Sequence, residues 1–195
     1  MLKICFFGPS GSGKSTCYPY AREFFYNSRM NARRDVRRCD VAQPLREIQT
    51  QVYSQLGLPS PGDSRLPETF QQDGKLLSFL SEHYQNSLRS LTENRLKLLE
   101  QQGHPFETVI INTDCRNNMY SIFKDHGFKF IKVEVKPETL TQRRLQRGDL
   151  TLFDYSVAVE QLDQIIPDFV ITNDDSLESL KQKICQTLTL VLDNS

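Results

Sequence analysis

Gly8-Pro-Ser-Gly-Ser-Gly-Lys14-Ser15 decides the fold of this 195-residue chain. Its spelling is Gly-x-x-x-x-Gly-Lys-Ser, the pattern of a phosphate-binding loop. Gly8, Gly11 and Gly13 let the backbone take positive φ and approach an anion closely. Successive N–H groups then converge as a nest, with Ser10 and Ser12 on the same loop. A helix opening at Lys14 adds free N–H groups and its positive dipole end. Lys14 supplies a point charge for the β- and γ-phosphates. Ser15 offers a hydroxyl to Mg²⁺, and Thr16 a donor near the α-phosphate. The plain alternative is a Gly/Ser-rich turn with a solvated lysine. What flanks the loop argues against it.

Before the loop, residues 2–7 form a short apolar run that stops at Gly8-Pro9, which reads as a buried parallel strand. After it, a helix is predicted from about Lys14 to Asn27, with a local kink at Pro19. A weaker strand follows near Val36–Val41. Pro44 then opens a helix over 45–55. Residues 57–67 hold three prolines and two glycines and read as a loop. One long helix is predicted over 74–102, its apolar stripe interrupted once or twice. Strands are expected at 108–113, 128–135 and 169–172. Helices are expected at 118–126, 137–147, 156–165 and 176–190. Strands alternating with helices imply an α/β fold of three layers, a mainly parallel sheet between helices. The chain reads as one domain over 1–195.

Composition limits the classes. Formal net charge is zero, so whole-molecule charge argues for neither a nucleic-acid nor a membrane partner. No run approaches the ~18 apolar residues of a spanning helix. The apolar start is only a strand's length and runs into the glycine loop, unlike a signal peptide. Five cysteines without a Cys-x-x-Cys pair give no zinc framework and read as reduced thiols of a cytoplasmic protein. Five arginines crowd residues 29–38, but no aromatics are interleaved among them, so a nucleic-acid patch is not expected.

A P-loop implies phosphate and leaves the reaction open. No Asp-x-x-Gly switch with an Asn-Lys-x-Asp base reader is present, and no Leu-Ser-Gly-Gly-Gln stretch. Cys115 stands where many motor ATPases place a catalytic Glu. A small-molecule kinase remains, using ATP and Mg²⁺. Asp114 ends an apolar strand at the carboxyl edge of the sheet, where open α/β sheets bind ligands. It can hold a metal-bound water or orient the acceptor. Capping the next helix is its ordinary alternative. Arg116 has the fork for an acceptor phosphate. Arg143 and Arg147, four apart, share a helix face and can close over the γ-phosphate as a lid. A solvated basic face is the ordinary reading of both.

Four stretches resemble the phage-type deoxynucleoside monophosphate kinases, and more weakly dephospho-coenzyme A kinase. They are Gly8–Thr16, Val41-Ala-Gln-Pro44-Leu45-Arg46, Val109-Ile-Ile-Asn-Thr-Asp114-Cys-Arg116, and the span from Arg143 to the Asn173-Asp-Asp-Ser-Leu turn. The sequence departs from the family at Asn118, where a Glu is common, and matches loosely over 57–105. The resemblance implies an ATP-dependent phosphotransferase acting on a nucleoside or deoxynucleoside monophosphate. It places Asp40 and Arg46 beside the acceptor, an acceptor-binding helical region at about 41–105, and a lid at about 139–165. Within the kinase class, dephospho-coenzyme A or another alcohol is the alternative, with Asp40 or Asp114 as base. Outside it, a nucleotide-dependent switch with slow hydrolysis is the alternative.

Overall fold

Ile4 through Phe7 are fully buried, four consecutive side chains of strand β1 (Leu2–Phe7). Only a strand covered on both faces does this. A computed structural model describes residues 1–27, 34–58, 73–104, 107–146, 162 and 164–194. It places β1 at the centre of a five-stranded sheet. The other strands are β2 (Asp35–Arg38), β3 (Thr108–Asn112), β4 (Lys129–Glu134) and β5 (Phe169–Thr172). Their order is β2-β3-β1-β4-β5, and every pairing is parallel.

The helices are α1 (Lys14–Asn27), α2 (Gln43–Gln55), α3 (Gly74–His83), α4 (Gln85–Gln102), α5 (Asn117–Asp125), α6 (Pro137–Gln146) and α7 (Leu177–Asp193). The period-2 alternation of β1 divides the interior into two cores. Cys5 and Phe7 meet Leu45 of α2, Leu80 of α3, Leu88 and Leu96 of α4, and Met119 and Phe123 of α5. Ile4 and Phe6 meet Cys17, Ala21 and Phe25 of α1 and Leu180, Ile184 and Leu188 of α7. The expected three-layer α/β architecture is therefore present, with a wholly parallel sheet among the described residues.

Two expectations change. The stretch read as one helix over 74–102 is two, broken at Tyr84 (φ −110°, ψ 27°). In a straight helix Tyr84 would share the face of Leu80 and Leu88; instead it is 56% exposed. The break lets α3 and α4 each present leucines to the same core. Helix α1 contains Pro19 in its second turn, as expected. Pro19 faces solvent, so water can serve the Ser15 carbonyl that loses its donor. Strand β2 stops at Arg38, short of Val41, because residues 41 and 42 turn to meet Asp114.

The loop from residue 59 onward, Arg29, Arg33, Arg147 and most of the helix read at 156–165 lie outside the described residues; Ile165 N donates to Leu162 O there, a turn. Among the described residues, no helix is long and apolar enough to cross a membrane.

Candidate active site

The glycine loop joins β1 to α1 at the carboxyl edge of the sheet. Gly8, Gly11 and Gly13 have φ of 153°, 91° and 96°. Gly13 is the tightest case. A Cβ there would stand 2.3 Å from Asn173 Nδ2. The first helical bonds of α1 run from Thr16 N and Cys17 N to Gly13 O, so the helix opens on the loop. Lys14 is nearly buried and donates from Nζ to Pro9 O at 2.8 Å, while Ser15 is exposed. Thr16 and Ser10 are half-buried. Ser12 is completely buried, and its Oγ has no hydrogen-bond partner. An unpaired buried hydroxyl beside a nest of N–H groups and a lysine fits a phosphate oxygen. Ser15, at the first helical turn with an exposed hydroxyl, fits Mg²⁺.

Beside the loop, the exits of β2 and β3 form a polar cluster. Asn112 organises it from a fully buried position at the end of β3. Its Oδ1 accepts from Asp114 N at 3.1 Å and Cys115 N at 2.9 Å. Its Nδ2 donates to Cys39 O and Asp114 Oδ1, both at 2.7 Å. Asp114 Oδ1 also accepts from Val41 N at 3.0 Å, and Oδ2 from Ala42 N at 2.9 Å. Asp114 thus holds the turn that leads into α2. The sequence weighed it as a cap for the helix after it; the backbone it binds instead precedes the helix after β2.

Asp40 lies in that turn, its side chain 11% exposed and 2.9 Å from Arg38 Nε. Burial and the nearby Asp114 charge push its carboxyl above the ordinary value, against the pull of Arg38 and Arg46. Arg38 also donates to Thr113 Oγ1 at 3.2 Å and lies over the Tyr18 ring, 4.9 Å from its centroid. Arg46 is exposed on the first turn of α2. Arg116 stands just before α5, its Nη1 donating to Cys115 O at 3.3 Å. Burial lowers its pKa, although the Asp114 charge opposes this. Asp40, Arg46, Asp114 and Arg116 are therefore gathered at one edge. The neighbouring thiols Cys17 and Cys39 are pushed up to about 12 by burial, so neither offers a ready nucleophile.

On α6 the arginines divide. Arg144 is buried and donates from Nε to Ser10 O at 2.9 Å, while Arg143 is half-buried. Adjacent helical residues point about 100° apart, and it is Arg144 whose direction meets the glycine loop. Asn173, at the exit of β5, is the other contact that the site selection from sequence missed. It is 4% exposed and donates from Nδ2 to Ser12 O at 2.8 Å. Arg38 and Asn112 were missed as well. Asn112 carried a signal: an amide ending an otherwise apolar, β-branched strand must find partners inside the protein. Arg38 and Arg144 carried none that separates them from the arginines around them.

No protein-family model matches the chain, and no curated protein matches it in sequence. Solved structures do match in shape. A sugar kinase from Janibacter sp. superposes with a TM-score of 0.54 at 15% identity, over 99% of this chain and 95% of that one. A gluconokinase from Sinorhizobium meliloti gives 0.51 at 16% identity, over 99% and 94%. Shikimate kinase from Aquifex aeolicus gives 0.50 at 16% identity, over the whole of both chains. At such identities the likeness establishes the fold alone, the layered α/β architecture that these kinases share.

Proposed function

We propose that this chain is a phosphotransferase that moves the γ-phosphoryl group of ATP to a nucleoside or deoxynucleoside monophosphate. The observation that carries the donor half is the glycine loop, with three positive-φ glycines, a nearly buried Lys14 and an orphaned Ser12 hydroxyl. In this reading residues 8–16 bind the triphosphate. Ser15, and Asp114 through its remaining lone pair, would hold Mg²⁺, which would offset the charge of the phosphates. Arg46, in an acceptor region at 41–105, and Arg116, after β3, hold the acceptor's phosphate at the carboxyl edge, beside Asp40. Lys14 draws charge from the transferring group. Arg143 and Arg147, in a lid at 139–165, neutralise it further. A phosphate anion is already a nucleophile, so this acceptor needs no base. Catalysis is then positioning and charge neutralisation.

One observation favours a second acceptor class. Asp40 is nearly buried and its carboxyl is held above the ordinary range, as suits a general base acting on an alcohol. The structural neighbours named as sugar kinase, gluconokinase and shikimate kinase agree with that branch in fold. The deciding experiment measures ADP formation from Mg·ATP with a panel of ribo- and deoxynucleoside monophosphates, dephospho-coenzyme A and polyhydroxy acids. Turnover with a monophosphate supports the first reading. Turnover with an alcohol alone replaces it with the second. ATP binding without transfer to any acceptor removes the kinase and leaves the nucleotide-dependent switch.

A further inference from the structure

The glycine loop works only if its N–H groups point inward, and the loop's carbonyls reveal what aims them. A trans peptide sets its C=O and the following N–H in opposite directions. A side chain that grips a carbonyl from outside therefore aims the next N–H into the cavity. Pro9 O accepts from Ser12 N at 3.1 Å and from Lys14 Nζ. Ser10 O accepts from Arg144 Nε. Ser12 O, which governs the N–H of Gly13, accepts from Asn173 Nδ2 at 2.8 Å.

Asn173 is itself fixed. Its backbone N donates to Glu134 O at 2.8 Å, tying the exit of β5 to the exit of β4. The next residue, Asp174, accepts from Lys136 N at 2.7 Å. The amide is buried and lies where any side chain at Gly13 would strike it. Position 13 is thus held by positive φ on one side and by the Asn173 amide on the other.

We propose that Asn173 is a positioning residue for the phosphate site: by gripping Ser12 O from the end of β5, it aims the Gly13 N–H at the donor's phosphates. The inference rests on the nucleotide-binding reading of the loop and extends it to a residue 160 positions away in the chain. It makes the β5–α7 turn part of the donor site without any contact between Asn173 and nucleotide.

The test compares wild type, Asn173→Ala and Asn173→Asp by titration calorimetry with Mg·ADP and with adenosine. Asn173→Ala should weaken ADP binding about tenfold, the loss of one well-placed hydrogen bond, and leave adenosine binding unchanged. Asn173→Asp keeps the shape but sets an oxygen against Ser12 O, and should weaken ADP further. The Gly13 amide proton gives a second readout. In wild type its NMR resonance should move downfield when ADP binds, and in Asn173→Ala that movement should shrink. Asn173→Ser, a smaller polar replacement, serves if the alanine variant does not fold. Equal ADP affinity and an equal Gly13 shift in a folded variant overturn the proposal while the nucleotide site stands. A parallel loss of adenosine and ADP binding also overturns it, since that is general damage. A wild-type protein that binds no ADP overturns both readings.

Discussion

Lys14 and Asp114 show how differently two polar side chains can serve one site. Lys14 is held over its own loop by Pro9 O, and a phosphate offers it a stronger, charged partner. Lys14→Ala should cut phosphotransfer by roughly 10²–10³-fold, with stability changed by about 1 kcal/mol or less. Steady-state rates together with urea unfolding check both. Asp114, by contrast, accepts three N–H groups from three residues. In Asp114→Asn one acceptor becomes a donor facing backbone N–H. The expected loss is about 2–3 kcal/mol of stability, read as a lower urea midpoint with an unchanged slope. Its loss of activity should accompany that destabilisation. The spelling of residues 8–16 was enough to place a tight glycine loop between β1 and α1, because glycine, lysine and serine at fixed spacing answer one local geometrical demand. The partners of that loop were not legible. Arg144 and Asn173 reach it from α6 and β5, and only the tertiary structure decides which of several similar residues arrives.

Elements carry their own predictions. Helix α3 is started by Asp73, whose Oδ1 accepts from Lys75 N and Leu76 N, while Oδ2 accepts from Tyr53 OH. Asp73→Ala should therefore cost about 1–2 kcal/mol, more than a simple cap, because it also releases α2 from α3. Chemical denaturation measures it. At the opposite edge of the sheet, Glu100 of α4 binds Lys3 of β1 at 2.6 Å and His126 at 2.8 Å. Burial pushes the Glu100 carboxyl up, but hydrogen bonds from Lys3 and His126 outweigh it and hold the pKa below the ordinary value. A carboxyl depressed by folding contributes its stability in full above its unfolded pKa and loses it as pH falls through the folded one. Unfolding midpoints between pH 3 and 7 should thus fall more steeply on the acid side in wild type than in Glu100→Gln. Strands β1, β3, β4 and β5 were readable from apolar runs that stop near Gly, Asp, Pro or Asn, whereas β2, with Val36 alone among charged residues, was only weakly so. The break at Tyr84 was not, since the leucine stripe keeps helical spacing across it and only packing against the sheet rotates the chain there.

At the scale of the whole molecule, the layered fold followed from alternating patterns, whereas the order of its strands did not. Order depends on which edge each crossover takes, and apolar strands such as β1 and β3 are interchangeable as patterns. On the proposed function, the fold makes nucleotide binding and folding one equilibrium. The donor loop is closed only when β1, α1, α6 and the end of β5 are all in place. Mg·ADP at a hundred times its dissociation constant should therefore stabilise the protein by about 2.7 kcal/mol. For a chain of this size that is a rise in Tm of about 5–10 °C, measured by calorimetry, and adenosine at equal concentration should give a smaller one.

The alternation along β1 also bears on how such a protein can diversify. Odd-numbered Cys5 and Phe7 lean on the helices beneath the exits of β2 and β3, and even-numbered Ile4 and Phe6 on the two helices behind the glycine loop. Heritable change can accumulate under one layer while the other keeps its shape. If the proposed function holds, a lineage built this way is free to trade one acceptor for another over time without relinquishing ATP.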